Sequence, residues 1–248
     1  MEKTNKVIII TGAGSGIGCD CSRVFLEHGW RVALLGRQET SLTKASMGHK
    51  SALVIKCDVT NEYQVENAFN KVLNSWGQVD VLFNNAGIGK SNQTIDNLSI
   101  EDWREVVEVN LTGAFICARM AFKIMKHQKP QGGRIINNGS VSAHVPRPGS
   151  APYTSTKHAI TGLTRTISLD GRPFNIVCGQ IDIGNALTPM TQKMTTGIQQ
   201  PDGDLKIEPT MDPSNVSKTI LHMSELPLSA NVQFVTVMAS NMPFIGRG

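Results

Sequence analysis

The sequence predicts an α/β fold of one domain over residues 1–248, with a doubly wound, parallel, seven-stranded sheet and helices on both faces. Three observations predict it. Short runs rich in Val and Ile alternate with longer amphipathic ones, and repeated β-α-β order implies a parallel sheet with right-handed crossovers. The apolar runs do not alternate strictly with polar residues, as expected of strands covered on both faces. A glycine-rich turn, Thr11-Gly-Ala-Gly-Ser-Gly-Ile-Gly18, joins the first strand to the first helix.

In chain order the strands fall at 6–10, 31–36, 52–57, 79–83, 134–138, 174–178 and 232–239. The clearest helix runs from 100 to about 127. Ser99-x-x-Asp102 before it resembles a capping box, and Val106, Val107, Leu111, Phe115 and Phe122 recur at helical spacing. A second helix covers 152–169, where Pro152 suits a first turn. One segment breaks the rhythm: 185–212 carries Pro189, Pro201, Pro209, Gly197 and Gly203 with Met190, Met194 and Met211. It reads as a long insertion before the last helix, either a substrate lid or a mobile surface excursion.

Composition narrows the class. Hydrophobic residues make up 40%, enough for a full core. No run of about 18 apolar residues exists, so no spanning helix is expected. The polar start, 1–5, lacks the build of a signal peptide. The net charge of +4 is spread without a basic block, and nothing argues for nucleic acid. Five cysteines, an odd number with no Cys-x-x-Cys, fit a reducing compartment such as the cytoplasm. The histidines form no His-x-x-x-His pair, so no metal is expected. Only Tyr63 and Tyr153 can supply a phenol.

The glycine turn carries the first chemistry. Glycines let backbone N–H groups approach a pyrophosphate, and a helix N-terminus favours its charge. Strict G-x-G-x-x-G spacing fails; T-G-x-x-x-G-x-G fits, assigning Gly12, Ser15, Gly16, Ile17 and Gly18 to the cofactor. NAD binders place an acid after the second strand. This chain has Gly36-Arg37, and Arg37 suits a 2′-phosphate, so NADP is preferred and NAD is allowed; a solvated arginine is the alternative. Asp58 and Val59 follow the third strand, where Asp58 can accept from the adenine amino group. Asn84-Asn85-Ala86-Gly87 follows the fourth and can line the adenosine channel. Each also reads as an ordinary turn.

The fifth strand ends in Asn138-Gly139-Ser140, and Tyr153-Thr-Ser-Thr-Lys157 stands thirteen residues beyond the serine. Four residues apart on a helix, Tyr153 and Lys157 share a face. A neighbouring ammonium lowers a phenol pKa, which lets the tyrosine exchange a proton near neutral pH. Ser140 can hold the substrate oxygen against it. The glycine turn, Asn84–Gly87, Ser140 and Gly179 all follow carboxyl ends of expected strands, the edge where open parallel sheets bind ligands.

With these motifs the chain resembles the single-domain branch of the short-chain dehydrogenase/reductase family, from Val7 to about Ala239. The resemblance implies a Rossmann-type sheet, a nicotinamide cofactor and a tetrad of Asn110, Ser140, Tyr153 and Lys157. Lys157 would also hold the nicotinamide ribose, and Asn110, at a local break in its helix, would hold a water in a proton relay. The family's Pro-Gly-x-x-x-Thr is altered here: Cys178-Gly-Gln-Ile-Asp-Ile183 keeps Gly179 and Ile181, expected at the cofactor, but lacks the proline and threonine. The stretch through Ser168-Leu-Asp-Gly-Arg172 looks shortened, and the tail from Met242 lacks the family's aspartate-glycine-glycine.

The expected activity is hydride transfer between nicotinamide and a secondary alcohol or ketone. The rival is a cofactor-binding regulator or scaffold without turnover. A sugar-nucleotide epimerase is disfavoured, since no sizeable C-terminal substrate domain follows. Pocket candidates are Ile88, His144, Pro146, Asn185, Met190 and Met194, a mixed, partly apolar site for a small molecule. Phe115, Ile116, Met120, Phe122 and Met125 make a broad apolar arc. Met120 is read as an outward-facing position of that arc, and the resemblance implies helices paired across a two-fold axis, a homodimer or homotetramer.

Overall fold

A computed structural model describes residues 5–90 and 93–245. Residues 1–4 of the polar start and 246–248 of the tail lie outside the described residues. The strands are β1 (Val7–Thr11), β2 (Arg31–Gly36), β3 (Ala52–Lys56), β4 (Val81–Asn84), β5 (Gly133–Asn138), β6 (Ile176–Gly184), β7 (Ile198–Gln199), β8 (Leu205–Lys206) and β9 (Phe234–Met238). Seven form one parallel sheet in the order β3-β2-β1-β4-β5-β6-β9; β7 and β8 pair as a short antiparallel ribbon inside 185–212.

The helices are α1 (Gly16–Glu27), α2 (Glu39–Ser46), α3 (Glu62–Trp76), α4 (Ile100–Val107), α5 (Gly113–His127), α6 (Ala151–Gly171) and α7 (Ser214–Glu225). Both sheet faces are covered. Val7 and Ile9 pack with Phe69 of α3, Cys117 of α5 and Ile167 of α6. Ile8 and Ile10 pack with Phe25 of α1, Leu42 of α2 and Ile220 of α7. This is why the strands read as continuous apolar runs: each such side chain stabilises the fold by about 1.5–3 kcal/mol when buried, whichever face it takes.

One local expectation, a break in the helix at Asn110, is met, and two others change. The helix expected from 100 to about 127 starts as its cap signal says, with Asp102 N donating to Ser99 Oγ at 3.0 Å. It is then interrupted by a π turn at Glu108–Thr112, which separates α4 from α5. Met120 does not face outward; it is buried in the core, and Phe115 is the exposed apolar residue of α5. The sixth strand does not stop at 178. A 3-10 turn (Arg172–Phe174) and Asn175 at φ 56° deliver the chain late into the sheet, and β6 runs to Gly184. Its second half contains Gln180 and Asp182, buried polar residues that break the apolar run.

Strand order reverses between β1 and β4, so the chain leaves their carboxyl ends in opposite directions and opens a crevice. Among the described residues no helix is long and apolar enough to cross a membrane.

Candidate active site

A cleft of about 650 Å³ opens at this carboxyl edge. The glycine turn, the residues after β2 to β6, the start of α6 and the first part of 185–212 line it. The turn is tight. Gly16 takes φ +51°, and a Cβ on Gly18 would lie 2.4 Å from the Gly12 carbonyl oxygen. Gly18 thus closes the turn from behind, while Gly12, Ser15, Gly16 and Ile17 face the cleft. The Ser15 side chain makes no cap hydrogen bond to the first turn of α1. A glycine cradle at the N-terminus of a twelve-residue helix fits a pyrophosphate. Thr188 stands over Gly16, where an added Cβ would come within 3.3 Å of it.

The adenosine side is built from strand ends. Arg37 is exposed on the rim after β2. Asp58 Oδ1 accepts from Thr60 N at 3.0 Å and Thr60 Oγ1 at 2.8 Å, which fixes the turn that sets Asp58 and Val59 on the wall. Asn85, Ala86 and Gly87 also line the cleft. Asn85 Nδ2 donates to Thr11 O and Ala86 N to Thr11 Oγ1, both at 2.9 Å, tying the end of β4 to β1. Asn84 turns away from the channel: its Nδ2 donates to Ala114 O at 2.9 Å and to Asn137 Oδ1 at 3.1 Å.

Ser140, Tyr153 and Lys157 meet in the same cleft. Ser140 Oγ accepts from Ser142 N at 3.1 Å, and the serine hydroxyl stands beside the Tyr153 phenol, whose titration it lowers. Lys157 Nζ lies 5.5 Å from the centre of the Tyr153 ring. Asn110 sits in the π turn, where regular helix bonding is interrupted. Its side chain clamps Ile88, accepting from the amide at 2.8 Å and donating to the carbonyl at 3.0 Å, and Nδ2 lies 3.4 Å from Thr156 Oγ1 on α6.

The charge balance differs from the expected one. Burial holds the Tyr153 phenol above its ordinary value; the Ser140 hydrogen bond and the Arg147 charge pull it down, and the Asp182 carboxylate pushes it up. Burial also brings Lys157 down to about 8, against the opposing pull of Asp182.

Two cofactor assignments are corrected by the length of β6. Gly179 packs inside the sheet, where a Cβ would lie 2.2 Å from Val232 O. Ile181 is fully buried in the core. Neither lines the cleft, whose wall is formed instead by Ile183, Asn185, Ala186 and Thr188. The spacing Gly184-x-x-x-Thr188 was the signal for these residues. Of the pocket candidates, Ile88, Asn185, Met190 and Met194 line the cleft; His144 and Pro146 do not. Arg147, which no motif singled out, does. Its Nη2 donates to Asn185 Oδ1 at 2.9 Å and to buried Glu208 Oε2 at 2.5 Å. Glu208 also accepts from Asn185 Nδ2 at 2.8 Å and Gln200 Nε2 at 3.0 Å.

Residues 6–199 match the family model for short chain dehydrogenase. A 3beta-hydroxysteroid dehydrogenase from Mediterraneibacter gnavus is 34% identical over 199 residues, covering 78% of this chain and 71% of that protein. A 3-ketoacyl-(acyl-carrier-protein) reductase from Brucella melitensis, solved with NADH, superimposes with a TM-score of 0.84 at 25% identity, covering 95% of this chain and 98% of that one. An actinorhodin polyketide ketoreductase variant, solved with NADPH, gives 0.83 at 26% identity, covering 95% and 97%. With the glycine cradle, the crevice and these likenesses together, the chain belongs to the short chain dehydrogenase family and is an NAD(P)-dependent oxidoreductase of small alcohol or ketone substrates.

Proposed function

We propose that Tyr153 is the acid and base of this reaction and that the substrate is a secondary alcohol or its ketone. The observation that carries the reading is the convergence of Ser140, Tyr153 and Lys157 in one cleft with the glycine turn. When bound, the nicotinamide exchanges a hydride with the substrate carbon. In the reducing direction Tyr153 gives its proton to the substrate oxygen, and Ser140 holds that oxygen in line. Lys157 holds the ribose hydroxyls and, with Asn110 at the π turn, returns the proton to Tyr153. In the oxidising direction Tyr153 takes the proton from the alcohol. The test is nicotinamide absorbance over a panel of ketones and alcohols. A protein that binds cofactor yet turns over none of them, while the Tyr153→Phe form behaves identically, would be the regulator or scaffold instead.

Five finer assignments belong to this reading. Arg37 supports a preference for NADP, since it stands on the cleft rim with no acid in the position that reads a free 2′-hydroxyl. Gly12, Ser15, Gly16, Ile17, Asp58, Val59, Asn85, Ala86 and Gly87 hold the rest of the cofactor. Segment 185–212 acts as a substrate lid; Met190 and Met194 give it an apolar inner face, and the Arg147–Glu208 pair ties it to the loop before α6. A homodimer or homotetramer is supported by the exposed Phe115 on α5. Five free cysteines favour a reducing compartment, the cytoplasm.

A further inference from the structure

Asp182 lies on β6, two residues before its end, and is 1% exposed. A buried carboxylate is costly unless its oxygens are satisfied. Here they are satisfied by the groups that frame the reaction. Oδ1 accepts from Ser140 N at 3.0 Å and from Gln180 Nε2 at 2.7 Å. Oδ2 takes His144 Nε2 at 2.9 Å. The fit is close: a Cβ on Gly139 would lie 2.0 Å from Oδ1, so this position admits only glycine while the carboxylate is there.

We propose that Asp182 is a positioning residue of the reaction, its carboxylate fixing the main chain of Ser140 and thereby the serine hydroxyl against Tyr153. The two ends of the 140–144 turn hang on one side chain, its first residue through an amide and His144 through an imidazole. The hydroxyl of Ser140 is left to Ser142 N and Tyr153. The inference rests on the roles proposed for Ser140 and Tyr153. Asp182 adds a second effect through its charge. The ionisable groups around it are His144 and Arg147 on the loop after β5, and Tyr153 and Lys157 on α6. The carboxylate disfavours phenolate at Tyr153 and favours ammonium at Lys157, raising both titrations.

Two substitutions separate geometry from charge. Asp182→Asn keeps an oxygen for Ser140 N and Gln180 but removes the charge. Asp182→Ala removes both. The alanine variant should lose about 100-fold in kcat, the scale of a roughly 1 Å misplacement, with cofactor Kd unchanged. The asparagine variant should recover most of that loss while both limbs of its pH–rate profile move to lower pH. Its Tyr153 titration, followed by ultraviolet difference absorbance without substrate or cofactor, should fall to lower pH too. With only two tyrosines, exposed Tyr63 serves as internal reference. Superimposable tyrosine titrations and pH profiles for wild type and Asp182→Asn, with Asp182→Ala losing only thermal stability, would overturn the proposal. Tyr153→Phe, run alongside, distinguishes the failures: an active phenylalanine variant refutes the underlying reading, whereas an inactive one beside an Asp182→Ala variant with wild-type kcat refutes the role of Asp182 alone.

Discussion

Lys157 Nζ donates to the Asn138 main-chain oxygen at 2.6 Å, fastening α6 to the last residue of β5. Ser140 follows that residue by two positions, and Tyr153 stands one helical turn before the lysine. The two groups proposed to hold the substrate oxygen therefore share one anchor, and the lysine sets distances as well as charge.

Replacing the phenol tests the centre of the scheme. Tyr153→Phe keeps the ring and removes the proton, so kcat should drop by about 10²–10⁴, the usual contribution of a positioned acid or base. Cofactor Kd should stay near wild type. Steady-state kinetics with fluorescence binding separates the two; a variant retaining most of its kcat refutes the assignment.

The buried lysine makes stability depend on pH in a defined direction. Its folded value of about 8 lies below the ordinary 10.5, so between them the unfolded chain binds more protons than the folded one. Below about 8 both states are protonated and the full cost of burying the ammonium is present. As pH rises from about 8 toward 10.5 that cost is relieved, and this contribution makes the fold more stable. Lys157→Met carries no such dependence. Denaturant melts across this range should show the difference in stability, wild type minus variant, rising with pH; a flat difference refutes it.

Cofactor choice should turn on Arg37. Arg37→Asp removes the cation proposed to face the 2′-phosphate and adds repulsion, so NADP(H) should bind about 10- to 100-fold more weakly, the range of one charge-assisted hydrogen bond. NAD(H) should bind about as before. Titration calorimetry with both cofactors measures this. Equal wild-type affinities for the two would leave Arg37 a solvated side chain.

Segment 185–212, the proposed lid, is tied down by a desolvated ion pair. The side chains of Arg147 and Glu208 are 16% and 2% exposed. Removing one partner of such a pair typically costs about 3–5 kcal/mol, because the other charge stays buried. Glu208→Gln should therefore loosen 185–212 more than it loosens the sheet. The expected result is a raised substrate KM with cofactor Kd unchanged, together with faster amide exchange confined to the segment. Exchange that speeds up throughout the protein would refute a local latch.

The sheet was legible because its signals are local. Val/Ile runs and the turn that follows each strand announce themselves, and the glycine turn, Ser140, Tyr153 and Lys157 stand at spacings set by one strand end and one helical turn. What was hidden depends on distant partners. Gln180 and Asp182 look unlike strand residues until Thr161, Thr164 and Ser140 are brought to them. That concealed the true end of β6 and put Gly179 and Ile181 at the wrong level. Met120 reads as outward when Phe115 and Phe122 are taken for the inward stripe of the helix; Phe115 is instead exposed, and Met120 is buried in the core. Arg147 and Glu208 are sixty-one positions apart, and nothing in either neighbourhood points to the other.

Assembly is the remaining test, and the exposed face of α5 decides where to aim it. Phe115 is 50% exposed in the first turn of α5, beside partly buried Ile116 and Phe122, while Arg119 and Lys123 continue the outer face. The proposed homo-oligomer would bury this exposed aromatic, and closed two-fold symmetry would set one α5 against another. The same helix begins where the π turn ends, so its placement bears on Asn110 and on the Ile88 backbone that Asn110 clamps. Phe115→Glu puts a carboxylate where two such faces would meet. The expected result is dissociation to a species of 26.9 kDa together with lower kcat, while Met120→Ala, a core truncation, should lower thermal stability and leave the association constant alone. Light scattering over a dilution series, with activity measured on the same samples, reads both. A wild-type protein that is monomeric and fully active throughout the series refutes the interface and its link to the site.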